Sequence, residues 1–427
     1  MIEIRKLSNG TTLVLEPMTG IQSVSVGIWL PFGSAGETAE NNGITHMIEH
    51  MVFKGTPTRD ARAIADVTAK LGSNMNAYTG KECTAFYCTT LTEYLPEACG
   101  MLGDMLGSSL FAEADFEREK EVICEEIDMY DDSPDDMVHE KLQQAVWKDH
   151  PLGFIISGRK EIVRGFRRDQ VKTFWQMHYT GSNLVISAAG AFDPDAFEAL
   201  ADRCFGGFPT GTPAIDAPAP VYRKTMYSQS KDVEQVHMNL AFDSLPETDE
   251  ARYAISIVHS ILGGNDNSRL IQTLREDMGL CYSIYSYDSS FRQAGLFQID
   301  AALHPAKLPE ALKAVRRILE ECRRDGFTAS EVHDAAEQSI TEMILGAESS
   351  RSRMTRNGRS WQNFGRVIPQ EETEQKLRAV TVDQVNAYVR RFLDWDTRSI
   401  SLVGNIEEID PALTNALEKE YNTKLVQ

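Results

Sequence analysis

Two imidazoles and a carboxylate sit within five residues, His46-Met47-Ile48-Glu49-His50. The neighbouring apolar residues Ile44, Met47, Ile48, Met51 and Val52 fall on one side of a helix. On that helix, positions four apart stack one turn above the other, with about 6 Å between Cβ atoms, so His46 and His50 aim at one point. Neutral imidazoles around one point suit a zinc ion, and Glu49 beside them lies near any water bound there. Two histidines on a half-buried helix are also ordinary polar-edge residues. In a chain with nine histidines the spacing arises by chance on the order of one time in a hundred. The motif therefore needs support from the rest of the chain.

The elements that must position it are legible. Ile2 and Ile4 alternate with polar residues, Asn9-Gly10 turns the chain, and Thr12 to Leu15 returns, which predicts a β-hairpin. A second strand runs from Val24 to Leu30 and a Gly-rich loop leads into the histidine helix. The pattern predicts a helix from Ala61 to Leu71, strand on both sides of Thr79-Gly80-Lys81 between Met75 and Leu91, and helices near 92–109, 115–130 and 135–147.

At 427 residues the chain is too long for one core. Its 42% hydrophobic and 25% charged residues are those of a globular protein. Sixty-three acidic residues against 43 basic ones give a net charge of −20, which argues against nucleic acid or an anionic membrane as partner and mildly favours neutral or basic substrates. Seven scattered cysteines without a C-x-x-C pair point to a reducing compartment. Charge near the N-terminus where a signal peptide needs an apolar core, and no apolar run of about 18 residues, predict a cytoplasmic protein with no membrane span.

Between Gly206 and Pro220 lie four of the 16 prolines, the composition of a linker. Beyond it the first half recurs. Pro31 to Thr38 matches Ala241 to Thr248, and Val26, Ile28 and Leu30 fall on Val236, Met238 and Leu240. Asp169-Gln170-Val171 matches Asp383-Gln384-Val385, and Gly190 matches Gly404. This predicts a zinc-binding domain over 1–208, a linker over 209–220 and a duplicated domain without metal over 221–427. In this register His46, Glu49 and His50 fall on Ser256, His259 and Ser260, so the second copy lacks the ligand set. His259 alone reads as a core-edge histidine. Gly263-Gly264-Asn265-Asp266-Asn267 lacks phosphate-loop spacing and reads as a turn before a helix.

A catalytic zinc site takes a third protein ligand and keeps the fourth position for water. The acidic helix from Phe116 to Ile127 offers candidates. Glu119 and Glu126 are seven apart and share one stripe, while Glu125 points about 100° away. A ligand and a supporting carboxylate can both come from that stripe.

At this point the sequence resembles the insulinase/pitrilysin family of inverted-motif zinc peptidases. It looks most like the branch holding the mitochondrial processing peptidase β subunit and its bacterial relatives. The family pattern is H-x-x-E-H with a glutamate ligand 76 positions after the second histidine, which selects Glu126 here over Glu125. The same pattern implies a zinc-proximal glutamate seven residues earlier, Glu119. Glu49 to Thr56, Asn76-Ala77-Tyr78-Thr79 and His150-Pro151-Leu152-Gly153 carry further likeness, which spans essentially the whole chain. Leu274-Arg275-Glu276 to Tyr282 resembles the family's arginine–tyrosine motif, with Arg275 and Tyr282 at its spacing. The implied role is to clamp the substrate carbonyl and steady the oxyanion. From the residues alone, Arg275 reads as a surface helix residue and Tyr282 as a strand core residue. The long glycine-rich stretch of the processing peptidase's non-catalytic α subunit is missing.

The resemblance implies an α+β fold of two homologous domains, each a mostly antiparallel sheet packed against helices, together enclosing a chamber. It implies one Zn²⁺ per chain on His46, His50 and Glu126, with Glu49 as general base of an endopeptidase acting on short or unfolded peptides. Substrate would be held as an added strand at Asn76-Ala77. Both motifs lie on one chain, which favours a homodimer. The alternative is a catalytically silent subunit or scaffold, a role some relatives reach by losing H-x-x-E-H residues; this chain keeps them all.

Overall fold

The computed structural model describes residues 2–72, 75–214 and 218–425; residues 215–217 of the expected linker lie outside them. The first half of the chain runs β1 (Glu3–Lys6), β2 (Thr12–Pro17), β3 (Ser23–Leu30), α1 (Ile44–Val52), α2 (Ala61–Lys70), β4 (Asn76–Thr79) and β5 (Thr84–Leu91). It continues with α3 (Leu95–Ser108), α4 (Glu113–Asp132), α5 (Pro134–Val146), α6 (Lys160–Gly165), α7 (Arg168–His178), β6 (Val185–Gly190) and α8 (Pro194–Phe205). The second half runs β7 (Met226–Ser230), β8 (Val236–Ser244), α9 (Arg252–Gly263), a π-helical segment (Ile271–Asp277), β9 (Cys281–Ser290) and β10 (Gly295–Leu303). It ends with α10 (Leu308–Asp325), α11 (Ala329–Gly346), α12 (Ser350–Phe364), α13 (Gln370–Arg378), α14 (Val382–Phe392), β11 (Ser399–Gly404) and α15 (Pro411–Tyr421).

The two sheets repeat one topology. The first has the order β1-β2-β6-β3-β5-β4 and the second β7-β11-β8-β10-β9. Among the described residues only β2–β6 and β7–β11 are parallel pairs; the other pairs are antiparallel. Gly190 and Gly404 end equivalent strands at φ 140° and 136°. A Cβ at either would meet a backbone oxygen, 2.5 Å from Ser23 O or 2.2 Å from Gln235 O, so the same glycine solves the same crossing twice. Val26, Ile28 and Leu30 on β3, and Val236, Met238 and Leu240 on β8, are all buried.

The compact units depart from the contiguous halves of the sequence at two places. Unit 1 is Met1–Asp128, Phe154–Ala217 and Ile344–Ile368, and unit 2 is Met129–Gly153, Pro218–Met343 and Pro369–Gln427. Equivalent helices have traded places: α12 packs on β3 and β6, and α5 on β8 and β11. In unit 1 one sheet face covers the main core with α1, α3, α4, α7 and α8, and the other buries Val14, Trp29, Ala85 and Val185 against Met354 of α12. A Cβ on Gly27 would lie 2.4 Å from Met354 Sδ, and one on Gly358 2.5 Å from Trp29, so the two glycines set how closely α12 approaches. Glu16 on β2 secures the same helix, through Arg353 at 2.5 Å and Asn357 at 2.6 Å. In unit 2 the main core is again under one face, and α5 covers the other with Met137 and Val138 against Val403.

Candidate metal centre and catalytic residues

The histidine helix is fixed at its start by a buried carboxylate. Glu37 Oε2 accepts from Gly43 N at 2.8 Å and Asn42 Nδ2 at 2.9 Å, and Oε1 accepts from Thr45 N at 2.9 Å. These backbone N–H groups are among those a helix N-terminus leaves unpaired, and the dipole there favours the negative charge. Gly43 sits at φ 97°, and a Cβ on it would lie 2.8 Å from Ser157 O, so only glycine fits. Ile44, Met47, Ile48, Met51 and Val52 are fully buried. That burial turns His46, Glu49 and His50 to the opposite side.

α4 answers with two carboxylates. His46 Nε2 is 3.8 Å and His50 Nε2 3.4 Å from Glu126 Oε2. The two imidazole rings meet edge to face at 4.7 Å. One ligand atom from each of His46, His50 and Glu126 lies within 4.8 Å of the others. Glu125, by contrast, is exposed. His50 Nδ1 is 3.1 Å from Glu119 Oε2; when it donates there, its tautomer is fixed with the Nε2 lone pair facing His46 and Glu126. Glu119 is only 2% exposed and also pairs with Lys54 at 2.7 Å. Burial, and the neighbouring His50, pull the His46 imidazolium down to about 4, so it stays neutral. Burial acts on His50 the same way, but Glu119 and Glu126 outweigh it and hold it at about 9. Two imidazoles facing two carboxylates thus call for positive charge between them. The donor set, with Glu119 holding the far nitrogen of His50, fits Zn²⁺. Among the described residues His46 Nδ1 is buried without a hydrogen-bond partner.

Glu49 lies beside these groups. Thr79 Oγ1 on β4 donates to Glu49 Oε2 at 2.5 Å. Burial pushes the Glu49 carboxyl up, and the Thr79 hydrogen bond opposes it. Among the described residues β4 pairs only with β5 and ends the sheet, so Asn76 and Ala77 lie on an edge strand; Asn76 is exposed and Ala77 half-buried.

Unit 2 carries Arg275 and Tyr282. Arg275 is in the π-helical segment, a geometry common at functional sites, and pairs with Glu276 at 3.2 Å. Tyr282 stands at the start of edge strand β9 and is 84% exposed, so the core reading drawn from its strand context fails. Among the described residues β9 is the last strand of its sheet and pairs with β10. His259 is half-buried and bonds Ser286 Oγ at 3.1 Å, a core-edge histidine as its sequence context indicates. Glu37 and Thr79 had no role in the sequence reading. Thr79 lay within a matched segment, and Glu37 only in a matched repeat, with no spacing to mark either as a partner of α1.

A duplicated α+β chain with a metal-ligand set in its first copy is the class these observations define. Residues 12–160 match the family model described as Insulinase (Peptidase family M16), and residues 165–339 the one described as Peptidase M16 inactive domain. The chain is 36% identical to the uncharacterized zinc protease YmxG of Bacillus subtilis, over 95% of this chain and all of that protein. It is also 36% identical to the uncharacterized zinc protease Rv2782c of Mycobacterium tuberculosis, over 91% of this chain and 90% of that one. The chain belongs to the insulinase family, peptidase family M16. Its fold matches that of a protease from Helicobacter pylori, with TM-score 0.89 and 19% identity over 95% of this chain and 99% of that one.

Proposed function

We propose that this chain is a zinc-dependent endopeptidase acting on short or unfolded peptides. The observation that carries the reading is the convergence of His46, His50 and Glu126 with Glu49 alongside. His46, His50 and Glu126 hold the ion, and Glu119 orients His50. Zinc, when bound, supplies a Lewis acid and a water acidic enough to ionise near neutral pH. Glu49 takes the proton of the attacking water and passes it to the leaving amine. Thr79 keeps that carboxylate aimed. An extended substrate pairs with the free edge of β4 at Asn76 and Ala77, where backbone hydrogen bonds read a peptide without demanding one sequence. Arg275 and Tyr282 are assigned to the substrate carbonyl and the developing oxyanion on the strength of their motif. We place the protein in the cytoplasm as a homodimer; its seven free cysteines are consistent with a reducing compartment. Among the described residues no helix is long and apolar enough to cross a membrane.

The test is incubation of the purified protein with a mixture of unstructured peptides, with and without a zinc chelator, and sequencing of the fragments. Chelator-sensitive internal cleavage is expected. Bound zinc without cleavage, alone or with a related partner chain, would establish the silent-subunit reading instead.

A further inference from the structure

α5 brings His139 and its acidic neighbours into unit 2. Asp135 and His139 are four apart on α5 and therefore share one side of it. His139 points at the sheet, where Asp300 on β10 lies directly across from Asn239 on β8. His139 Nε2 is 3.3 Å from Asp300 Oδ2. One ligand atom from each of Asp135, His139 and Asp300 lies within 4.8 Å of the others.

A separation of 3.3 Å is beyond the usual range of N–H···O hydrogen bonds. It equals that of two ligands held about 2.0–2.1 Å from one tetrahedral ion. Asp300 is 2% exposed, and among the described residues His139 is its only basic neighbour within ion-pair distance. Burial pushes its carboxyl up to about 7. The other edge of His139 sits in a polar cluster, with Nδ1 against the Tyr287 hydroxyl and 2.9 Å from Asn239 Nδ2, an amide nitrogen that is also 2.9 Å from that hydroxyl and 3.4 Å from Asp300 Oδ2.

Two polar atoms are left over here. Asn239 Oδ1 is fully buried with no hydrogen-bond partner. His237 Nδ1, among the described residues, makes no hydrogen bond and stands at ion-pair distance, 3.5 Å, from Asp135 Oδ1. Turning the Asn239 amide end for end, a change that keeps its shape, lets Oδ1 accept from His139 Nδ1–H and from the Tyr287 hydroxyl, and sets it against Asp300 Oδ2 where Nδ2 now donates. The Nε2 lone pair then faces Asp300 and Asp135, two acceptors with no proton to offer while ionised. A cation resolves that arrangement.

We propose that Asp135, His139 and Asp300 form a second divalent-cation site, in unit 2 and independent of the first. One imidazole and two carboxylates suit Zn²⁺ or Mn²⁺. Asp300 and His139 are the inner ligands, and the more exposed Asp135 closes the site. The ion pins α5, a helix from the first half of the sequence, to the sheet of the second half.

The test starts from the His46→Ala/His50→Ala protein, which lacks the first ligand set. It is loaded with Zn²⁺ or with Mn²⁺, dialysed, and analysed for metal per folded chain. About one ion per chain is expected, against about two in the unaltered protein. Adding Asp300→Asn, or the milder Asp135→Asn, should remove that ion, and in the otherwise unaltered protein either change should leave peptide cleavage intact. A chelator should lower the melting temperature of the double variant and not of the variant that also carries Asp300→Asn. A natively folded double variant that binds neither metal overturns the proposal, as does metal content indifferent to both aspartates. Either result leaves the peptidase reading untouched, because that reading is scored by cleavage in the protein with its first ligand set.

Discussion

α1 follows β3 in unit 1 and α9 follows β8 in unit 2, each beside a sheet of the same strand order, yet their polar faces differ. The face of α1 carries His46, Glu49 and His50, met by Glu119 and Glu126 from α4. At the matching places α9 carries Ser256, His259 and Ser260. His259 is satisfied by Ser286, and Ser260 lies near Asn265 and Gln338. The fold therefore forms without the histidine cluster. The polar face of α1 concentrates desolvated carboxylates, with Glu49 on it and Glu37 and Glu119 against it, whereas α9 itself carries none, and such concentration of perturbed groups is what a functional site looks like.

The sharpest way to break this comparison is to alter the same register position in each copy. Glu49→Gln should lower kcat about 10²–10⁴-fold, the usual worth of a general base, with the metal content unchanged. His259→Ala, at the matching place in α9, should leave kcat where it was. Steady-state kinetics on one peptide, together with metal analysis, decides the matter. Equal losses in both variants would mean that the polar face of this helix serves folding in both units.

Glu119 tests the support around the ligands. It is almost fully buried and divides its oxygens between His50 and Lys54. Glu119→Gln should cost about 10–100-fold in metal affinity or activity, as loss of an outer-shell partner does. Competition with a graded chelator measures the affinity directly. An unchanged affinity would show that Glu126 and the packing of α1 orient His50 unaided.

Elements with strong local periodicity were legible in the sequence. α1, α2, β3 and the β1–β2 hairpin appear where the alternation of apolar residues puts them, and Glu126, which the family spacing selects, stands 3.4 Å from His50 Nε2. The exchange of α5 and α12 was not legible. Which sheet a helix covers is decided by non-local shape, here Gly27 and Gly358 under Trp29 and Met354, and nothing in the helix's own period encodes it. Asp300 was hidden for the same reason: it looks like one polar residue in a buried strand until α5 is laid across it. Tyr282 was misjudged from its residues alone because strand pattern does not distinguish an edge from a centre.

The exchanged helices give a second pair to compare, since α12 is tied down by an ion pair on Glu16 and α5 by the His139 cluster. Glu16→Ala should destabilise unit 1. Removing one partner of a fully buried pair costs about 3–5 kcal/mol, but Arg353 and Arg356 keep partial access to water, so about 2 kcal/mol is expected. Denaturant unfolding, followed by Trp fluorescence, reads the change. No shift would assign the hold on α12 to the apolar contact between Trp29 and Met354.

The smallest effect separates positioning from chemistry within unit 1. The Thr79 side chain donates its hydroxyl to Glu49, and the Thr79 backbone N–H supports the same carboxylate. Thr79→Val keeps the shape and removes the donor, a loss of about 1–1.5 kcal/mol, or up to about tenfold in kcat. A hydrogen bond to the charged form lowers a carboxyl pKa, so its loss raises that of Glu49. The acid limb of kcat/KM should therefore move to higher pH, and Thr79→Ser should restore it. A purely structural threonine would lower activity by the same factor at every pH, and serine would then restore only the stability. Because β4 is also the edge assigned to substrate, KM is the control: a change confined to KM would place Thr79 with the peptide and leave the aim of Glu49 to α1 alone.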